Sequence, residues 1–520
     1  MVIDRYRVAA ILGPLLLMLP WIAHIVFNIH DSTVVSAVSC LVMLSAATLL
    51  VILYRLAQVA KSPLVHLSIQ WLVILIGFVP IASIATYEWV EGIHFDCEAL
   101  LLLLQTNPGE AVQFLKTRPS YVAAAVLVAV GGGLLLFCAS LSEKSHQKQC
   151  VKGRLWFLFL VLVVLGGVVF SGYKQLDLYH AYKQAKHLIR TPPLGREDLV
   201  ARRQNKHQKL HVVVIGESSN RTHWGLYGYE RKTTPFMSSF FEHCSDCAYS
   251  AAWTSAKSTI ISLKYALTDA NQYHGGEPKV SIIDTLRKAG FNTVWISNQE
   301  YAQSKSRIFN LIGRSADQHL FLDEKIFSFK DDRPLDDNVV VALEKVLGSL
   351  NRDTVVFIHL MGSHAPYNLR STEPYVKWKD PNPIGVDAYD NSILYTDKIL
   401  HELMLVAREA DSFIYFSDHS ELPVYGRNHL HIEMFKIPFV AAFRSPTTRQ
   451  KKFLANMKAN MPFTNDMMYD TLLGVYGISS NYYAERYDLS SDKYAFKSED
   501  YLMINDGKNR IINGDVGSVQ

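Results

Sequence analysis

Cysteine is scarce in this chain, with six residues in 520. Cys40 and Cys138 lie in long apolar stretches, and Cys97 and Cys150 lie in the segments between such stretches. Only Cys244 and Cys247 fall in the more polar second part. With no second pair, a zinc ribbon is excluded. The surroundings of this C-x-x-C give no support to thioredoxin-like chemistry, which leaves a small disulfide in an oxidising compartment. A charge imbalance is lacking too. The 52 basic and 48 acidic residues leave a net charge of +4, too small to argue for a nucleic-acid partner. Internal repeats and charges within the apolar stretches are also missing, which counts against a transporter.

Long apolar runs, by contrast, are plentiful. Mean hydropathy is +0.08, and the apolar content is concentrated before residue 175. Five stretches, near 8–28, 34–54, 67–87, 120–141 and 154–172, reach the length needed to cross a bilayer, about 20 residues. The first is too long, and too poor in small cleavage-site residues, for a removed signal peptide. Lys and Arg set the orientation. Arg5 and Arg7 precede the first span, Arg55 and Lys61 follow the second, and Lys144, Lys148, Lys152 and Arg154 surround the fourth loop. The first loop, NIHDST, has no Lys or Arg, and the third opens with Glu88, Glu91, Asp96 and Glu98. The N-terminus is therefore expected in the cytoplasm and everything after residue 172 on the far side. In a bacterium with two membranes, that is an inner-membrane protein with a periplasmic domain.

Residues 1–172 thus read as a five-helix transmembrane domain and 173–210 as a linker. The linker opens with an amphipathic helix, YKQLDLYHAYKQAKHLI, suited to a membrane surface. From 211 to 520, strand-like and helix-like segments alternate. HVVVIGE, FNTVWISNQ, DTVVFIHLMGSH and SFIYFSDHSE read as strands. TTPFMSSFFE, SIIDTLRKAG, DNVVVALEKVLGSL and NSILYTDKILHELMLVAREA read as helices. The alternation implies an α/β domain with a central, mostly parallel sheet, whose ligands bind beyond the carboxyl ends of the strands.

Three of these strands end in chemically capable groups: Glu217, His364 and the pair Asp418–His419. A lone strand-end carboxylate is ordinarily a helix cap. Three strand ends on one rim, carrying Glu, His and Asp-His, point to a metal site, since zinc accepts imidazole nitrogen and carboxylate oxygen. A hydroxyl touching such a metal becomes a competent nucleophile near neutral pH. The hydroxyl-rich segment 252–268, AWTSAKSTIISLKYALT, offers Thr254, Ser255, Ser258 and Thr259, and chemistry alone does not choose among them.

The set GESSNRTHWGLYGYERKTTPFM, KSTIISL, HLMGSHAPY, YDNSILYTDKIL and FSDHSE resembles the bacterial phosphoethanolamine transferases. That family belongs to the alkaline phosphatase and sulfatase superfamily and includes the lipid A-modifying enzymes and the mobile colistin-resistance proteins. The resemblance covers nearly the full chain and implies an alkaline-phosphatase/sulfatase-like domain behind the five spans. It matches Glu217, Asp418 and His419 to zinc ligands and Thr259 to the zinc-bound nucleophile. It places His364 near the phosphoryl group or a second zinc, and a downstream histidine, His429 or His431, beside it. In LLQTNPGEA of the third loop, Thr106 and Glu110 match positions that hold the ethanolamine head group. Leu102 stands where the family often has Asn, and Ser420 where it commonly has the glycine of D-H-G-E. The colistin-resistance type flanks its nucleophile with disulfide cysteines, and here only Cys247 is near Thr259 in sequence. The C-x-P-x-R signature that sulfatases need is absent, which counts against sulfate-ester hydrolysis.

What the resemblance implies is a two-step transfer. Phosphoethanolamine passes from phosphatidylethanolamine to Thr259, then to lipopolysaccharide (lipid A or core) or another periplasmic glycan. A monomer among membrane lipids is expected, with Zn2+ as cofactor and polymyxin resistance as a consequence of lipid A modification. A phosphoglycerol transferase of the same superfamily and a non-catalytic membrane scaffold are the rival readings.

Overall fold

The computed structural model describes residues 194–497 apart from 205–208, 274–276, 301–307, 324–334, 351 and 424–431. It also describes the backbone of 502–505 and 508–511, and Leu100, 111–112, 115–116, 179–180 and 182–183. The expected spans and nearly all of the amphipathic helix lie outside the described residues, as do Thr106 and Glu110. The chain divides into two compact units, Met1–Leu100 with Arg118–Gln184, and Leu101–Thr117 with Ala185–Gln520. The second unit holds the elements that follow.

In chain order these are β1 (Ala201–Arg203), β2 (Leu210–Gly216), α1 (Pro235–His243), β3 (Cys247–Trp253), α2 (Thr259–Ala266) and α3 (Ile282–Lys288). Next come β4 (Asn292–Glu300), α4 (Ile308–Arg314), β5 (Gln318–Asp323), α5 (Asp337–Leu347) and β6 (Thr354–His359). They are followed by α6 (Val386–Val406), β7 (Ser412–Ser417), β8 (Lys436–Phe443), α7 (Thr448–Lys458) and α8 (Met468–Val475). The last are β9 (Ile478–Ser480), β10 (Leu502–Asn505) and β11 (Lys508–Ile511).

Seven strands form the central sheet in the order β3-β8-β7-β2-β6-β4-β5. The run from β7 through β5 is parallel, whereas β8 is antiparallel to both of its neighbours. The sheet is therefore mixed, mostly parallel with one reversed strand. Residues 194–204, expected in the linker, belong to this domain: β1 pairs with β9, and Leu199 is buried in the core. The long helix α6 starts at Val386, five residues ahead of the expected Asn391.

β2 is central because its β-branched run is apolar on both faces. Val212 and Val214 join the core formed with α5 and α6, while Val213 and Ile215 join the core formed with α2, α3 and α8. Burying each such side chain stabilises by about 1.5–3 kcal/mol, so a one-residue slip of this strand has no compensating face. Helix ends follow local chemistry. α3 opens on a reciprocal Ser281/Asp284 capping box, and Gly290 behind it adopts φ +93°.

Candidate active site

Neighbouring parallel strands deliver their end groups side by side. β2 lies between β6 and β7, with Ile215 opposite His359 and Gly216 opposite Ser417. The ladder runs on past the strands: Leu360 N donates to Ile215 O at 2.9 Å and Asp418 N to Gly216 O at 3.0 Å. Glu217 and Asp418 therefore leave the sheet together. With His419, they offer ligand atoms that all lie within 4.8 Å of one another, each residue being buried.

The buried backbone and side chains around them fix these atoms. Asp418 Oδ1 accepts from Ser218 N at 3.1 Å and His419 N at 2.6 Å, which leaves Oδ2 toward the cluster, 3.4 Å from His419 Nε2. Glu217 Oε1 accepts from Ser218 Oγ at 2.7 Å and lies 3.2 Å from His419 Nε2. Glu217 Oε2 accepts from Gln299 Nε2 at 3.3 Å. His419 Nδ1 stands 3.0 Å from the carbonyl of Ser420, which can only accept, so Nδ1 carries the proton of the neutral ring. Its Nε2 lone pair then faces two carboxylate oxygens. Three such atoms converging in a buried space could hold a metal ion among them. One imidazole nitrogen with two carboxylates is a donor set that zinc takes, and the carbonyl behind the ring is the outer partner that zinc-binding histidines use.

Thr259 reaches the same point from the other side. It is the first residue of α2, where the backbone N–H groups are free of helical partners and favour anions. Its hydroxyl donates to Glu217 Oε2 at 3.1 Å and lies 3.3 Å from His419 Nε2. Of the four hydroxyls left open by the sequence, Thr259 has these contacts. Thr254 instead donates to the Asp418 and Ala256 carbonyls, and Ser255 is bonded to Asn465.

His364 sits on the loop behind β6. That loop is tied to the site by Ser363 N donating to Glu217 O at 3.0 Å and by the buried Asp336, whose carboxylate accepts from Met361 N and Gly362 N. His364 Nδ1 lies 2.8 Å from Ala365 O, leaving Nε2 as its other ring nitrogen. His429 and His431 lie outside the described residues.

Gln299 and Asn465 are two site residues that the sequence reading missed. Gln299 ends the expected strand FNTVWISNQ and stands on the same rim as the others, a signal that was present. Asn465 left none. Its buried Nδ2 donates to Asp418 O at 2.6 Å and Ser262 Oγ at 2.9 Å, while Oδ1 accepts from Ser255 N at 3.0 Å. It thereby joins the approach to α2 to the end of β7.

The sulfatase family model matches residues 209–478, and the model described as phosphoethanolamine transferase EptA/EptB matches residues 63–192. Phosphoethanolamine transferase EptC of Escherichia coli is 30% identical over 258 residues, which are 44% of this chain and 44% of that protein. The match thus spans under half the length of that relative. The zinc complex of the C-terminal periplasmic domain of Escherichia coli EptC superposes with a TM-score of 0.54 at 24% identity, covering 62% of this chain and 96% of that one. The integral membrane protein lipooligosaccharide phosphoethanolamine transferase A (EptA) from Neisseria meningitidis gives 0.59 at 20% identity, covering 92% and 96%. The model that matches over half of its length makes the chain a member of the sulfatase family, and the segment ahead of that domain is similar to phosphoethanolamine transferase EptA/EptB.

Proposed function

We propose that this protein moves phosphoethanolamine from phosphatidylethanolamine to a lipopolysaccharide acceptor, lipid A or core, at the periplasmic face of the bacterial inner membrane. The observation that carries the reading is the contact of the Thr259 hydroxyl with both Glu217 and His419 at the N-terminus of a helix. Glu217, Asp418, His419 and Thr259 would hold one zinc ion, whose charge lowers the pKa of the bound hydroxyl and offsets charge on the phosphoryl oxygens.

Thr259 Oγ attacks phosphorus, the P–O bond to the glycerol oxygen breaks, and diacylglycerol leaves with the proton that Thr259 gives up. An acceptor oxygen then displaces Thr259 Oγ from the phosphoethanolamine. The backbone N–H groups at the start of α2 orient the phosphoryl oxygens. His364, with His429 or His431, carries the proton to the leaving oxygen and from the acceptor. Thr106 and Glu110 hold the ammonium head group, for which a carboxylate is suited. The membrane domain of five spans is needed because donor and leaving group are both lipids.

Mass spectrometry of lipid A and core from cells with and without the gene tests this reading. It predicts a gain of one phosphoethanolamine on one of them. An unchanged lipopolysaccharide would move the acceptor to another periplasmic glycan, and activity with phosphatidylglycerol but not phosphatidylethanolamine would overturn the head-group assignment.

A further inference from the structure

Two motifs have no role in the chemistry above: NRTHWGLYGYERKTT, residues 220–234, and the Tyr389–Asp390 pair of α6. The structure joins them behind the site. Tyr389 is fully buried, and its hydroxyl donates to Ser218 O at 2.6 Å and accepts from Asn220 N at 2.8 Å. Burial raises this phenol well above its ordinary pKa, so it stays a donor at every working pH.

The residue it grips has an unusual backbone. Ser218 adopts φ +56°, a left-handed conformation that a residue with a Cβ holds at a cost of about 1–2 kcal/mol and keeps only when its surroundings impose it. The same residue touches both carboxylates, through its N–H to Asp418 Oδ1 and its hydroxyl to Glu217 Oε1. A relaxed Ser218 would lose both contacts and let Glu217 and Asp418 turn.

Tyr389 is itself held. His223 packs edge-on against its ring at 5.0 Å, and Tyr367 does so at 4.9 Å. The buried carboxylate of Asp390 accepts from His223 Nδ1 at 2.7 Å, from Tyr229 at 2.9 Å and from Arg231 at 2.8 Å. The second half of the turn is pinned from the same segment, by Trp224 Nε1 donating to Ser219 Oγ at 2.9 Å.

We propose that Tyr389 is a positioning residue for the metal site: its hydroxyl locks the left-handed turn at Ser218 and thereby the spacing of the Glu217 and Asp418 carboxylates. The inference rests on reading that cluster as a zinc site. Tyr389→Phe keeps the ring and its packing and removes only the hydroxyl. Tyr227→Phe is the matched control. That tyrosine's hydroxyl donates to Ser250 O and accepts from Phe439 N, on the β3–β8 pair away from the cluster.

Zinc affinity of the full-length protein is measured by competition with a chromophoric chelator, and the Tm of each metal-free variant is measured beside it. The expected result is a 10–100-fold weaker zinc affinity for Tyr389→Phe, the range found on loss of outer partners of metal ligands. Tyr227→Phe should bind zinc as the wild type does. Both metal-free variants should melt within a few degrees of one another, and excess zinc should restore transfer in Tyr389→Phe. Equal zinc affinity in Tyr389→Phe and wild type overturns the proposal, and so does an equal loss in Tyr227→Phe. If Tyr389→Phe does not accumulate folded, Asp390→Asn, which loosens the grip on His223 and Arg231, must show a severalfold loss of zinc affinity or the proposal fails. A wild type that takes up no zinc overturns the metal reading itself, a distinct outcome.

Discussion

The space that a side chain on Gly362 would fill is occupied by the backbone of Glu217. A Cβ built on Gly362 would lie 2.8 Å from Glu217 O and 3.0 Å from Glu217 N. Gly362 also has φ +51°, in the left-handed region. The loop carrying His364 and the turn carrying Glu217 are therefore packed backbone to backbone, and glycine is what lets them meet.

Gly362→Ala follows directly. The left-handed conformation alone costs about 1–2 kcal/mol with a Cβ, and the contact with Glu217 adds to it. The variant should melt several degrees lower and should also bind zinc more weakly, because relief comes by moving Glu217. Unchanged zinc affinity in a destabilised Gly362→Ala would sink the link between the loop and the metal turn.

Thr259 separates chemistry from scaffolding. Thr259→Ala should lower transfer from phosphatidylethanolamine by at least about a thousandfold, the scale on which nucleophile deletions act. It should leave the fold intact, since Glu217, Asp418 and His419 keep their backbone supports. Thr259→Ser keeps an oxygen at the helix N-terminus and should retain measurable transfer. The check is head-group transfer from a labelled lipid, with Tm alongside. Activity in the Ala variant near that of the wild type would remove Thr259 from the mechanism.

The parts legible in the sequence were those written locally. The run Val212–Ile215, ended by Gly216 and Glu217, and the run ended by Asp418–His419 carry their own signal, because strands buried on both faces are continuous apolar runs. β3 and β8 were not legible. CAYSAAW is small and mixed, and KIPFVAAF contains Pro438, which demotes a strand reading, yet β8 lies inside the sheet between β3 and β7. The supports of the site were equally hidden. Asn465 meets Asp418 across 47 residues and Tyr389 meets Ser218 across 171, and no spacing rule connects them. Tyr389 stands in the quoted stretch YDNSILYTDKIL, but only the fold gives it a place.

Buried titratable groups set the pH window of stability. His211 on β2 is fully buried, and its pKa is lowered from 6.5 to about 3 by burial and then by Arg203. Its folded pKa is depressed, so its contribution is present above pH 6.5 and is lost as pH falls from there toward 3. Asp470 at the start of α8 shifts the other way, raised to about 8 by burial, with the Asp488 carboxylate adding to it. Its contribution is fully present below the unfolded value of 3.8 and is lost as pH rises through 8. Asp470→Asn should therefore raise Tm by an amount that grows from pH 5 to pH 8.5 and then levels off. His211→Asn should flatten the fall of Tm between pH 7 and pH 4.5. Melting curves that stay parallel to the wild type across both ranges would contradict these assignments.

Cys244 and Cys247 form a disulfide between the end of α1 and the start of β3. Their Cα atoms are 5.6 Å apart, within the range the bridge requires. The loop it closes is short, so the chain-entropy gain is small, about 2 kcal/mol. β3 runs in the same direction as β2 and ends at Trp253, which leads into Thr254 on the catalytic rim. Cys247, at the opposite end of this seven-residue strand, is about 20 Å away from that rim. The double change Cys244→Ser with Cys247→Ser should thus lower Tm by a few degrees and leave the transfer rate unchanged. The same pair reports on the compartment. On the proposed periplasmic placement of this domain, the two thiols should resist alkylation in intact cells until a reductant is added. If both alkylate freely, this domain lies on the reducing side of the membrane, and the orientation derived from Arg5, Arg7, Arg55 and Lys61 is reversed.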